Sequence, residues 1–215
     1  TLTLQNSETD FKYFLRNNTT YEIIGNGQTG TTSALNFQTG VVSETTNYEV
    51  LATSKDANYA LNFDGIDDTV LIPHSSALDF TTTDRITIEA WIYPTDLSAN
   101  GGYQEIFRKD NGGGGRILVS FQESNTLAFG LDTSDGGYQE LDVTIDRNEY
   151  ENKWQHILAT YDGATMKLYK GDTGIGIPTE IGALAKTGEI TAAAANTPAY
   201  IGAWGSGEFF QGKMA

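Results

Sequence analysis

Residues 57–73 read ANYALNFDGIDDTVLIP, and the fold is decided on this stretch. Tyr59, Leu61 and Phe63 alternate with smaller or polar residues, and Val70 and Ile72 alternate again on the far side. A period of two is the pattern of a half-buried strand. Between the runs, Asp64-Gly65-Ile66-Asp67-Asp68 places three carboxylates in five residues. The stretch predicts two strands joined as a hairpin by an acidic tight turn.

Upstream, short apolar alternations recur about every ten residues: Leu2 and Leu4; Phe11, Tyr13 and Leu15; Tyr21, Ile23 and Ile24; Leu35 and Phe37; Tyr48, Val50 and Leu51. Turn signals separate them at Asn17-Asn18, Gly25-Asn26-Gly27, Thr29-Gly30 and Thr39-Gly40. Downstream, strands are predicted over Ile86–Tyr93, Arg116–Phe121, Leu127–Leu131, Leu141–Ile145, Trp154–Tyr161, Met166–Tyr169 and Ala199–Gly202. No long helical periodicity interrupts them. The alanine tract Ala192–Ala195 has room for one helical turn, too short to be stable alone. The fold class read from this pattern is all-β, an antiparallel β-sandwich.

Composition narrows the function classes. The 215 residues are 39% hydrophobic and 11% aromatic, enough for a packed core, and the net charge is −15 with a pI near 4.3. An acidic surface repels phosphate backbones and anionic lipid heads, which argues against nucleic acid as a partner. No apolar run approaches the roughly 18 residues of a membrane span, so membrane insertion is not expected. The chain has no cysteine, which excludes disulfides, thiolate metal sites and thiol catalysis. It starts Thr-Leu-Thr-Leu and stops at Gly212-Lys213-Met214-Ala215, as if cut from a longer protein.

Four motifs now stand in one order: ALNFDGIDDTVLIP (60–73), ITIEAWIYP (86–94), KWQHILATYDGATMKLYKG (153–171) and AYIGAWGSGEFFQGKMA (199–215). Together they resemble the laminin-G-like jelly roll of the concanavalin A-like lectin/glucanase superfamily. Before them, NGQTGTTSALNFQTGVVSETTNYEVLAT (26–53) resembles the last strands of Ig-like repeats in large secreted surface proteins of the Bacteroidota type. The resemblance implies two domains: a partial Ig-like β domain over residues 1–55, then a jelly roll over 56–215. In the family the last strand continues past the position of Met214, so the jelly roll is expected to be cut short at its C-terminus. The hairpin of residues 57–73 would then lie against a closing strand that starts at Phe209.

Candidate chemistry follows from residue type and spacing. Asp64, Asp67 and Asp68 offer hard oxygen ligands around a glycine, which suits calcium, and the resemblance also implies calcium near this end of the sheet. The structural alternative is an Asp-Gly turn beside a solvated aspartate pair. Loops at Ser98–Tyr103, Asp110–Gly115 and Asp132–Tyr138 are rich in Asn, Asp, Gly and aromatics, the groups that bind sugar hydroxyls and apolar sugar faces. Tyr103, Asp110, Asn111, Tyr138 and Trp204 are therefore the candidate ligand-binding residues.

Catalysis finds little support. Glycosidase chemistry needs two carboxyls on one site, and the Glu-x-Asp-x-Glu strand of the glucanase relatives is absent. Glu140 and Asp142 form an E-x-D pair, read as a solvated face, and Glu105 lacks a partner at two-residue spacing. His156 is read as structural, and Trp91, Trp154, Phe209 and Phe210 as core.

The expected function is non-catalytic binding of glycan or a cell-surface protein, within a large secreted or cell-surface adhesin that carries further domains. A spacer in a surface stalk or filament, and an accessory carbohydrate-binding domain of a secreted polysaccharide-degrading enzyme, are the alternatives.

Overall fold

The computed structural model describes residues 1–19, 23–42, 45–54, 60–80, 84–112, 114–171, 178–191 and 196–215. The alanine tract 192–195, Tyr21 and residues 57–59 of the opening stretch lie outside them. The chain forms two compact units, Thr1–Tyr59 and Ala60–Ala215.

The first unit holds β1 (Leu2–Leu4), β2 (Phe11–Asn17), β3 (Ile23–Thr29), β4 (Leu35–Phe37) and β5 (Tyr48–Ser54). β1 pairs with β4, and β3, β2 and β5 form a second antiparallel sheet. Leu35 and Phe37 from the first pair and Tyr13 and Leu15 from the other sheet close one small core. The predicted turn Gly25-Asn26-Gly27 is corrected. It lies inside β3, where the register against β2 slips between Tyr13 and Leu15. Gly25, at φ 70°, makes this bulge, and β-bulges use glycine for that left-handed step.

The second unit is a sandwich of two six-stranded antiparallel sheets. One runs in the order β12 (Gly137–Thr144), β11 (Thr126–Thr133), β10 (Ile117–Gln122), β9 (Gln104–Lys109), β16 (Ala199–Ile201), β7 (Val70–Ile72). The other runs β15 (Thr179–Ala185), β14 (Thr165–Gly171), β13 (Gln155–Tyr161), β8 (Ile86–Pro94), β17 (Gln211–Met214), β6 (Leu61–Asp64). A single helical turn, α1 (Arg147–Tyr150), joins β12 to β13 and is capped by the Asp146 carboxylate.

Alternation builds the core. Ile117, Val119 and Phe121 on β10 face Leu131, Phe129 and Leu127 on β11, all 2% exposed or less. Ile92, Ile157, Ala159, Met166 and Leu168 answer from the other sheet in the same cluster. The hairpin β13–β14 turns at Asp162-Gly163, where the Asp162 carboxylate accepts the N–H groups of Ala164 and Thr165. Gly163, at φ 91°, supplies the left-handed step.

Two expectations are corrected here. β6 and β7 do not form a hairpin: β6 pairs with β17 and β7 with β16, so they are edge strands of opposite sheets. The acidic segment is an arch around one edge of the sandwich. The same flanking alternation serves either geometry, because burial of one face sets the period and remote partners set the pairing. Trp91 and Trp154 are also not core. Ala90 and Ile92 point inward, so Trp91 points outward, where it stacks on His156 with ring centroids 4.9 Å apart, and Trp154 meets Tyr93 at 5.6 Å. Phe210 is core, 0% exposed, just before β17, and Phe209 is half-buried. β9 and β15 were not anticipated.

Candidate functional site

Strand β9 carries the chemistry. Val119 of β10 pairs with Phe107, but Ser120 pairs with Glu105, so Ile106 is an extra residue in β9. In a regular strand, positions three apart face opposite ways. This bulge turns Glu105 and Arg108 to the same side, away from the core, while Ile106 stays buried.

Arg108 is the hub. Its Nη1 donates to Glu105 Oε1 at 2.6 Å and to Glu208 Oε2 at 3.1 Å, and its Nη2 donates to Asp110 Oδ2 at 2.8 Å. The Trp204 ring lies over the guanidinium, with Cζ 3.9 Å from the centroid. Arg116 Nε reaches the same Asp110 oxygen at 2.7 Å, and its guanidinium lies over the Tyr138 ring, 4.6 Å from the centroid. The Tyr138 hydroxyl donates to Glu140. The side chains of Arg108, Glu105 and Asp110 are 8%, 2% and 1% exposed, whereas Trp204 and Tyr138 remain partly exposed.

The electrostatics follow from burial and pairing. Burial lifts the Glu105 carboxyl well above the ordinary range; neighbouring Glu208 adds to this, and Arg108 opposes it. Burial also acts to raise Asp110. Hydrogen bonds from Arg108 and Gly112, with the charges of Arg116 and Arg108, outweigh it and hold Asp110 below the usual range. Tyr138 is pushed up by burial and by Glu140. Asp142 is raised by burial and by the charges of Glu140 and Glu123.

The sequence candidates divide. Asp110, Tyr138 and Trp204 join one network through Arg108 and Arg116. The Asp110 loop and the Asp132 loop meet, because Gly115 N–H donates to Asp132 Oδ2 at 2.9 Å. Asn111 is exposed beside Asp110. Tyr103, 39% exposed, precedes β9 at the end opposite Asp110, so it is not part of this group. Both arginines, Glu105 and Glu208 were missed by sequence reasoning. The bulge that unites Glu105 with Arg108 leaves no local pattern, and Glu208 reaches Arg108 across 100 residues.

The second candidate group is the acidic arch. One carboxylate oxygen from each of Asp64, Asp67 and Asp68 lies within 4.8 Å of the others. Asp64 Oδ1 accepts the N–H of Ile66 at 2.8 Å and of Asp67 at 3.4 Å, and Asp68 Oδ2 accepts the N–H of Asp64 at 2.9 Å. Each carboxylate keeps another oxygen to offer. Asn100 Nδ2 ties Gly65 O at 3.0 Å to Phe209 O at 2.7 Å, fixing the arch. An all-oxygen donor set fits a hard cation, with water completing the six to eight ligands of calcium.

Among solved structures, the chain resembles domains LG4-5 of the mouse laminin alpha1 chain, at 11% identity and a TM-score of 0.51 over 77% of this chain and 41% of that one. It resembles the binding domain of Paraclostridial Mosquitocidal Protein 1 at 16% identity and the same TM-score, over 72% and 39%. The chain spans less than half of either structure, and at these identities the likeness is one of fold. No curated protein matches the chain. A laminin-G-type family model matches residues 63–215. With that match covering most of the chain and the paired antiparallel sheets described above, the chain belongs to the concanavalin A-like lectin/glucanases superfamily.

Proposed function

We propose that the Ala60–Ala215 unit is a non-catalytic binding module that recognises glycan or protein through the face holding Trp204 and Tyr138. One observation carries the reading: two partly exposed rings, each backed on one side by a guanidinium, stand on one sheet face. A ring so held is a prepared platform for an apolar sugar face or an aliphatic side chain. The arginines are occupied by Glu105, Asp110 and Glu208, with Glu140 and Asp142 nearby, so the face disfavours anions. The ligand class is therefore an uncharged glycan ahead of a sulfated or uronic one. Glu105 and Glu208 form a close carboxyl pair, but Glu105 is buried against Arg108, a poor position for attack on a glycosidic bond.

A glycan array with the full chain tests this. Uncharged glycans should bind, and Trp204→Ala should weaken the best of them by about tenfold or more in titration calorimetry. Silence across the array, or unchanged affinity in the variant, refutes the site. The setting proposed for the module is a secreted or cell-surface adhesin, with Thr1–Tyr59 as part of an Ig-like unit and further domains in the parent chain.

The same reading assigns calcium to Asp64, Asp67 and Asp68. A cation that binds only the folded state at a hundredfold excess over Kd stabilises by about 2.7 kcal/mol. Melting in calcium against EDTA should then differ by about 5–10 °C. Asp64→Asn keeps the side-chain oxygen that accepts the turn N–H groups and removes the charge, so the difference should vanish. Equal melting of the parent in both buffers refutes the metal.

A further inference from the structure

We propose that the loop carrying Trp204 is a proton-operated latch, closed by one proton shared between Glu105 and Glu208 and loosened when that proton leaves. The loop reverses tightly, with Trp204 and Gly207 exchanging backbone hydrogen bonds at 3.0 and 3.1 Å. It is fastened to β9 at three points. Glu208 O accepts the Glu105 N–H at 3.0 Å, Glu208 Oε2 meets Arg108 Nη1 at 3.1 Å, and the Trp204 ring covers the same guanidinium. Glu208 has φ 54°, a left-handed conformation that a non-glycine residue keeps when its surroundings impose it.

The geometry demands a proton. Glu105 Oε1 is satisfied by Arg108, but Oε2 is buried with no hydrogen-bond partner. Glu105 and Glu208 both touch the one nitrogen Nη1, so they are close neighbours. A proton on Glu105 Oε2 turns that orphan acceptor into a donor toward the Glu208 carboxylate. It also lowers the excess of negative charge: among the described residues of this network Glu105, Asp110 and Glu208 oppose Arg108 and Arg116, and one proton evens these five.

Among the described residues nothing else nearby replaces it. The neighbour of Glu105 on β10 is Ser120, and that of Arg108 on β16 is Tyr200. Lys109 is directed elsewhere, to Thr197 O at 2.6 Å. Beyond Arg116, the Glu140 carboxylate is engaged by Tyr138 and adds only negative charge. Loss of the proton leaves a buried carboxylate facing Glu208, and the exposed partner moves away, carrying Trp204 off Arg108. Burial and Glu208 both favour the protonated form of Glu105, so the latch is closed on the acid side and opens as pH rises. It needs no ligand and stands or falls separately from the binding reading.

The test uses the full chain with Trp91 and Trp154 replaced by phenylalanine, so that emission reports Trp204 alone. Fluorescence is followed from about pH 4 to 9. One reversible transition is expected, toward a more solvent-exposed indole at high pH. Glu105→Gln donates to Glu208 at every pH, and Glu208→Gln removes the repulsion, so each should lose the transition. A flat parent curve, or a transition that persists in either folded variant, overturns the latch. Should Glu105→Gln fail to fold, the 30% exposed Glu208 position and hydrogen exchange of residues 203–210 in the unaltered chain decide it. Exchange corrected for its intrinsic pH dependence should quicken across the transition, and unchanged protection overturns the proposal.

Discussion

Arg108→Leu is expected to destabilise the Ala60–Ala215 unit by about 3–5 kcal/mol at neutral pH, because buried Glu105 loses its hydrogen-bond donor and buried Asp110 is left with Arg116 as its one paired cation. Glu105 and Asp110 are almost wholly inaccessible, and Arg108 donates to both. The penalty should depend on pH in a definite direction. Burial already raises Glu105, and loss of Arg108 raises it further. Asp110 is held low by groups that include Arg108, so it rises as well. A group whose folded pKa is raised contributes stability on the acid side and loses it as pH rises through that value. The deficit of the variant should therefore be largest at neutral pH and shrink as pH falls toward the ordinary carboxylate range. Denaturant titrations of both proteins at several pH values check this, with tryptophan emission as the probe, since Trp91, Trp154 and Trp204 all lie in this unit. A deficit that grows on acidification would contradict the assignment. Arg108→Lys keeps the charge but not the planar fork, and should fall between parent and Arg108→Leu.

Phe210→Ala should cost a similar amount, about 3–5 kcal/mol, through a cavity rather than a charge. Phe210 is 0% exposed and meets Phe63 edge-on, with ring centroids 6.0 Å apart at 89°. Its N–H donates to Gly202 O at 2.8 Å. Gly202 itself, at φ 81°, is where a Cβ would collide with Phe63. The ring thus joins the edge strand β6, the end of β16 and the start of β17, and little else can collapse into its place. A fall in melting temperature of about 6–20 °C is expected for a unit of this size. Trp91→Ala removes a larger side chain from the outward face and should cost less. The reverse order would place Trp91 in the core after all.

The strands were legible because alternation is a local record of which face is buried. Tyr13 and Leu15, Ile117 and Val119, and Ile157 and Ala159 all alternate along their strands and all lie in the cores. The hairpin at Asp162-Gly163 is equally local, because the Asp carboxylate and the positive φ of glycine are properties of adjacent residues. The candidate site was less so. Asp110, Tyr138 and Trp204 were picked by residue type. Their grouping needed Arg108 and Arg116, whose roles no spacing announces. A strand reading with strict period two separates Glu105 from Arg108, and the bulge at Ile106 unites them.

By itself, then, the sequence determined an all-β chain, its acidic charge balance and its superfamily, since each rests on composition, local pattern or motifs kept in order. Tertiary structure decided what ANYALNFDGIDDTVLIP becomes. Its two strands part into opposite sheets because β17 and β16, well over a hundred residues later, offer better partners than they offer each other. Pairing is chosen by the whole core, and a strand's own residues state only which face it will bury.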